Sequence, residues 1–154
     1  MVLYLVRHAK AGDRRSWHLP DDLRPLTETG AAQAVWLADM LQGRGVTAVL
    51  SSPARRCVDT VSPLADRLRL AVTVEPALAE EAADDEVLAT VGDLLGETAV
   101  LCTHGNIVPV VLDHLRRNGT EFGPPPHDWK TGSIWELRTE GSSVVAASYR
   151  APPL

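Results

Sequence analysis

The sequence predicts a three-layer α/β sandwich, a mostly parallel sheet with helices on both faces. Two observations carry this. Short apolar runs of strand length alternate along the chain with longer stretches of helical spacing, the pattern of repeated strand–helix units. The chain has 154 residues, 45% of them hydrophobic and 23% charged. That is an ordinary globular composition with room for one core, and the whole of 1–154 reads as a single domain.

The elements follow in order. Val2 to Val6 is a short apolar run that reads as a buried strand. Gly12 to Pro25 is polar and proline-punctuated, so it reads as a loop. Thr27 is positioned to cap a helix to about Gln42, with Ala34, Leu37, Ala38 and Leu41 at helical spacing and Gly43 and Gly45 as its stop. Thr47 to Leu50 is a second strand. Pro53 suits the first turn of a helix running to Leu68. Ala71 to Val74 is strand-like, and Asp84 to Leu95 is helical up to Gly96. Thr98 to Cys102 is a strand that turns at Thr103 to Asn106 into a helix, Ile107 to Leu115, with Arg116 and Arg117 at its favourable end. Ser133 to Leu137 and Ser143 to Tyr149 form a hairpin around Glu140 and Gly141.

Net charge is -5, which argues against a nucleic-acid or membrane-surface binder that relies on bulk positive charge. Lys10 and Lys130 are the only lysines among 15 basic residues, so 13 are arginines. Arginine is the better fork for phosphate and carboxylate. Cys57 and Cys102 have no metal or redox spacing and read as core residues of a protein in a reducing compartment. The apolar start ends at Arg7 and His8 with no cleavage site, so no signal peptide is expected. No apolar stretch approaches a membrane span, and the expected location is the cytoplasm.

In a parallel sheet the ligand sits beyond the carboxyl ends of the strands. Four constellations fall there. Arg7-His8 ends the first strand. Ser51-Ser52-Pro53-Ala54-Arg55-Arg56 turns a strand into a helix whose start suits an anion. Cys102-Thr103-His104-Gly105-Asn106 does the same, with Gly105 at the tight turn. Leu78-Ala79-Glu80-Glu81 precedes the next helix. Singly, each has a plain reading as a surface loop, an N-cap, a satisfied histidine or a dipole partner. Together they place two histidines and two arginines on one rim. A neutral imidazole attacks phosphorus and carries it covalently. Arginines and a second histidine hold the equatorial oxygens. A carboxylic acid protonates the departing alkoxide. This scheme needs no metal and no cofactor.

On these motifs the chain resembles the histidine phosphatase superfamily, which includes the cofactor-dependent phosphoglycerate mutases, over essentially its whole length. The resemblance implies a phosphoglycerate mutase-like fold. It makes His8 the nucleophile, Arg7, Arg56, His104 and Gly105 the phosphate site, and Glu80 the proton donor, with Glu81 as the fallback. Ala9 stands where the family has glycine. Arg24 to Gly30 resembles the helix entry of the SixA-type phosphohistidine phosphatases. Leu3 to Gly12, Glu75 to Glu81 and Lys130 to Ser133 resemble the phosphatase domain that actinobacteria fuse to MutT-type Nudix domains. No Nudix box is present, so a stand-alone version is expected.

The expected activity is removal of phosphate from a phosphohistidine protein, SixA-like. The alternatives are a small-molecule phosphomonoesterase for nucleotide or sugar phosphates, and a non-catalytic phosphate-binding module. The expected partner is therefore a phosphorylated protein or a small phosphorylated metabolite, with no nucleic acid and no membrane. Short connections leave no lid over the pocket. Lys10 and Arg14 extend the phosphate pocket or, with Arg15, form a solvated charge run. Asn106 and Lys130 are further candidates for substrate contact. Trp17 and Trp129 stack on a ligand or anchor their loops, and His18, His114 and His127 carry no role.

Overall fold

The structure, a computed structural model, describes residues 1–153. Its strands are β1 (Val2–Arg7), β2 (Ala48–Ser51), β3 (Val72–Val74), β4 (Ala99–Thr103), β5 (Glu121–Phe122), β6 (Ile134–Glu140) and β7 (Ser143–Arg150). Its α-helices are α1 (Glu28–Leu41), α2 (Arg55–Leu68), α3 (Asp84–Asp93) and α4 (Val108–Arg117). The strands form one seven-stranded sheet in the order β3-β2-β4-β1-β6-β7-β5. The four strands from β3 to β1 run parallel, and the β6–β7 hairpin closes against β1 antiparallel.

Alternating side chains of the central strands feed two cores. Leu3, Leu5, Ala99, Leu101, Trp135 and Leu137 pack under α3 and α4. Tyr4, Val6, Val49, Val100, Cys102 and Ile134 pack under α1 and α2. Each fully buried leucine or valine contributes about 1.5–3 kcal/mol, and central strands sandwiched on both faces must be apolar throughout. All five residues of β4 are buried.

The sequence reading holds for every main element, with small shifts that have local causes. α2 begins at Arg55, because Ala54 keeps an extended backbone and its N–H is taken by Ser52 Oγ at 3.3 Å. α1 starts as expected, with the Thr27 hydroxyl accepting from the Gly30 N–H. α3 stops at Asp93 and α4 runs on to Arg117. Unforeseen were β5, a two-residue strand, and two 3-10 turns, Asp21–Leu23 and Pro76–Leu78. Such short elements carry too few side chains to show a period.

Register places the site. Arg7 pairs with Thr103 across β1 and β4, and Ser51 pairs with Cys102 across β2 and β4. His8, Ser52 and His104 therefore leave the sheet side by side at its carboxyl rim.

Candidate active site

His8 and His104 face each other with ring centroids 5.5 Å apart in an edge-on arrangement. The His8 ring is buried, and its Nδ1 lies 2.8 Å from the Ala9 carbonyl oxygen. A carbonyl only accepts, so the hydrogen-bond network puts the proton on Nδ1 and leaves Nε2 with a free lone pair. Burial pushes the His8 imidazole down to about 3, against the opposing pull of the Ala9 hydrogen bond and with help from His104, Arg56 and Arg7. At neutral pH His8 is uncharged.

His104 is held on both ring nitrogens. Nε2 lies 2.8 Å from Ser52 Oγ, and Nδ1 lies 3.4 Å from Arg56 Nη2. Arginine only donates, so this arrangement places the His104 proton on Nε2, directed at Ser52. The strand-end serine is thus a bracket for the second histidine. Behind it the Cys57 thiol, buried and unoxidised, sits 3.6 Å from the same Nε2.

Arg56 is wholly buried. Its Nη1 donates to the Asp21 carbonyl at 3.0 Å, and its Nη2 reaches Glu80 Oε2 at 3.0 Å and Asp21 Oδ2 at 3.1 Å. Arg7 donates from Nη1 to the Trp129 carbonyl at 2.9 Å. Burial lowers its guanidinium from its ordinary range, yet arginine stays charged at any working pH. The Nε atoms of Arg7 and Arg56 are the only buried side-chain polar atoms without a partner among the described residues. An unmet buried donor costs about 1–3 kcal/mol; Arg7 lines an open pocket, and Arg56 lies behind its wall, joined to it through Glu80.

That pocket has a volume of about 420 Å³ and is lined by Arg7, His8, Arg14, Glu80, His104, Gly105, Asn106 and Trp129. Gly105 lets the Arg7 guanidinium lie against the backbone. A Cβ there would lie 2.7 Å from Arg7 Cζ and 2.9 Å from Arg7 Nε. Ala9 needs no glycine, because Arg69 is the only non-glycine residue with positive φ among the described residues. Its methyl is buried, and its N–H donates to Thr60 Oγ1 at 2.8 Å.

Glu80, rather than Glu81, is the carboxylate in the pocket. Its Oε1 accepts from Arg14 at 3.1 Å while Oε2 holds Arg56. Asn106 donates from Nδ2 to the Glu80 carbonyl at 2.7 Å, and Thr103 Oγ1 donates to the Leu78 carbonyl at 2.6 Å, so the turn carrying Glu80 is tied to the His104 turn. Arg14 and Asn106 are therefore part of the pocket wall. Lys10 and Lys130 line a separate pocket with Gln33, which shares no lining residue with the one beside His8. Trp129 serves by its carbonyl and by lining the pocket. Trp17 bonds the Pro20 carbonyl at 3.0 Å in its own loop.

Asp21 was missed in the sequence. Besides Arg56 it binds Arg24 Nε at 3.1 Å and Arg14 Nε at 3.4 Å through Oδ1. Burial would raise its carboxyl, but Arg24, Arg56 and Arg14 outweigh it and hold the group below the usual carboxylate range. Arg24 is itself buried and donates to the Gly12 carbonyl at 2.6 Å. An acid in a polar loop gives no periodic signal of this, although the adjacent Arg24-Pro25 did stand out.

A site of this kind on this fold defines a class. Residues 3–87 match the model of the histidine phosphatase superfamily (branch 1), and the chain belongs to that family. Among its relatives, an 8-oxo-(d)GTP phosphatase of Mycolicibacterium smegmatis is 32% identical over 157 aligned residues, covering 99% of this chain and 48% of that protein. The chain thus spans about half the length of that relative. The protein histidine phosphatase SixA, solved with tungstate, superimposes with a TM-score of 0.74 at 24% identity, covering 98% of this chain and 95% of the other. A mycobacterial glucosyl-3-phosphoglycerate phosphatase, solved with VO3, gives a TM-score of 0.72 at 17% identity, covering 97% and 96%. These two likenesses establish the phosphoglycerate mutase-like fold. The named relatives are phosphatases. No helix among the described residues is long and apolar enough to cross a membrane.

Proposed function

We propose that this chain is a phosphatase that releases phosphate from a small phosphorylated molecule through a covalent phosphohistidine on His8. The carrying observation is a neutral His8 with Nε2 free, set beside half-buried Arg7 and buried Arg56, whose buried Nε donors have no partner. A phosphoryl group entering the pocket meets Arg7, and His104 borders its other side. The Nε2 lone pair attacks phosphorus and the bond to the leaving oxygen breaks. Glu80 is the one carboxylate lining the pocket, and in its protonated form it gives its proton to that oxygen. Water then attacks phosphorus and passes a proton to Glu80. The P–N bond breaks, the electron pair returns to Nε2, and inorganic phosphate leaves. The substrate phosphate displaces Glu80 from Arg56, freeing the carboxyl to reach the leaving group.

The placement of Glu80 favours a leaving oxygen that needs a proton, hence an ester or anhydride. A second reading is favoured by the uncovered rim. A phosphohistidine on a protein surface also reaches such a pocket, and its nitrogen leaves with little help. Glu80→Gln separates the two. If the substrate is an ester, the variant loses about 10²–10³-fold on an alkyl phosphate and far less on p-nitrophenyl phosphate. Equal losses on both remove Glu80 as donor and shift preference to the phosphohistidine protein.

A further inference from the structure

The loop between β1 and α1 is clamped at its base. Ala11 and Leu26 form an isolated antiparallel bridge, the Gly12 N–H donates to the Pro25 carbonyl at 3.1 Å, and Arg24 Nη1 donates to the Gly12 carbonyl at 2.6 Å. Within this loop stands Trp17. A tryptophan that anchors a loop does so by burying its ring. Trp17 is only partly buried, and it packs against neither core among the described residues. Its indole N–H is taken by the Pro20 carbonyl at 3.0 Å, which ties the ring to the loop and leaves its faces to apolar contact.

Trp17 lines a pocket of about 340 Å³ with Leu19, Arg14 and Asp21. Leu19 is 61% exposed. Single apolar side chains on a surface need no explanation, but these two line one concavity. Arg14 lines both this pocket and the one beside His8, so a single side chain parts the two. Arg14 Nε lies 3.4 Å from Asp21 Oδ1, and Nη2 lies 3.1 Å from Glu80 Oε1. Guanidinium N–H groups donate in their own plane, so these contacts leave its faces open. A guanidinium face and an indole face both attract a flat π-system. Asp21 adds an acceptor. A carboxylate has about four lone-pair sites, and among the described residues Arg24, Arg14 and Arg56 take three. One remains for an amino donor.

We infer that this second pocket holds a planar, amino-bearing aromatic ring carried on the leaving group of the substrate. The ring lies on Trp17 and beside Arg14 while the phosphate is at His8. The inference rests on the small-molecule reading above and narrows it to nucleoside 5′-phosphates. In these the pentose is the spacer that crosses Arg14, and the base fills the pocket beyond. A bare sugar phosphate leaves the Trp17 pocket empty.

The test is a binding measurement that does not depend on turnover. Calorimetry in a His8→Ala background, where neither ligand is consumed, compares AMP with ribose 5-phosphate. The two share the phosphate, the pentose and the leaving 5′-oxygen and differ in adenine. The expected result is at least about 10-fold tighter binding of AMP, the scale of one base stacked on an aromatic ring. Adding Trp17→Ala brings the ratio near one by weakening AMP, and Trp17→Phe, which keeps a ring without the N–H, retains most of the preference. Equal Kd values for the two ligands before Trp17 is changed overturn the inference, as does a preference that survives Trp17→Ala. A parallel weakening of both ligands in Trp17→Ala also overturns it, since Trp17 then only holds the loop. Failure of His8 to form a phosphoenzyme overturns the function proposed above and leaves this ratio standing, so the two are distinguished.

Discussion

Lowering the pH from 7 to 5 tests the state of His8 through stability. In the folded protein the imidazole is held down to about 3, mainly by burial, while in the unfolded chain it takes a proton near 6.5. Between those values the unfolded state binds more protons, so stability is full above the unfolded value and falls as pH drops. At pH 5 the loss is about 2 kcal/mol, rising toward about 5 kcal/mol near pH 3. For a chain of this size about 2 kcal/mol corresponds to a fall of roughly 4–8 °C in melting temperature. Urea unfolding at both pH values, on the wild type and on His8→Asn, isolates this contribution. Asparagine keeps a donor for the Ala9 carbonyl but does not titrate, so the wild type should lose about 2 kcal/mol more than the variant. Equal losses in the two proteins would refute the neutral, desolvated His8.

Two other substitutions probe the arginines. Gly105→Ala drives a methyl to 2.7 Å from Arg7 Cζ, so Arg7 must move, and phosphate hydrolysis should fall about 10²–10³-fold with the melting temperature nearly kept. Asp21→Asn removes the charge that holds Arg56 and Arg24. It should raise KM for p-nitrophenyl phosphate and weaken vanadate inhibition about 10-fold, the cost of roughly 1.4 kcal/mol of lost positioning, with a smaller change in kcat.

The parts of the site that the sequence disclosed most plainly lie directly after apolar strands. His8, Ser52 and His104 are legible because strand ends are marked by hydrophobicity and the parallel sheet aligns those ends. Arg56 follows from the turn into α2, and Gly105 from the tight turn after β4. Loops obey no such rule. Asp21 and Arg14 reach Arg56 and Glu80 from a polar stretch with no period, and the Trp129 carbonyl acts on Arg7 across 122 residues. Backbone groups of that kind leave no trace in residue identity. Lys10 illustrates the limit from the other side. It lies two residues from His8, yet the chain takes it into a different pocket, because Ala9 is buried against Thr60 and Lys10 is clamped to Gln33.

The β-sheet register was equally out of reach. Nothing in the sequence says that Arg7 pairs with Thr103 rather than with a residue two places away, and it is this pairing that sets the two histidine rings 5.5 Å apart. Local patterns fix which segments are strands; long-range packing fixes their offsets.

A covalent phosphate on His8 is the intermediate on which the proposed reaction turns. Mixing the enzyme with labelled p-nitrophenyl phosphate, quenching in alkali within milliseconds and mapping the modified peptide by mass spectrometry reads it directly. The expected result is one phosphate on the peptide containing His8, stable in alkali, lost in acid and absent from His8→Ala. Steady hydrolysis by the wild type with no labelled His8, or turnover retained by purified His8→Ala, would contradict it.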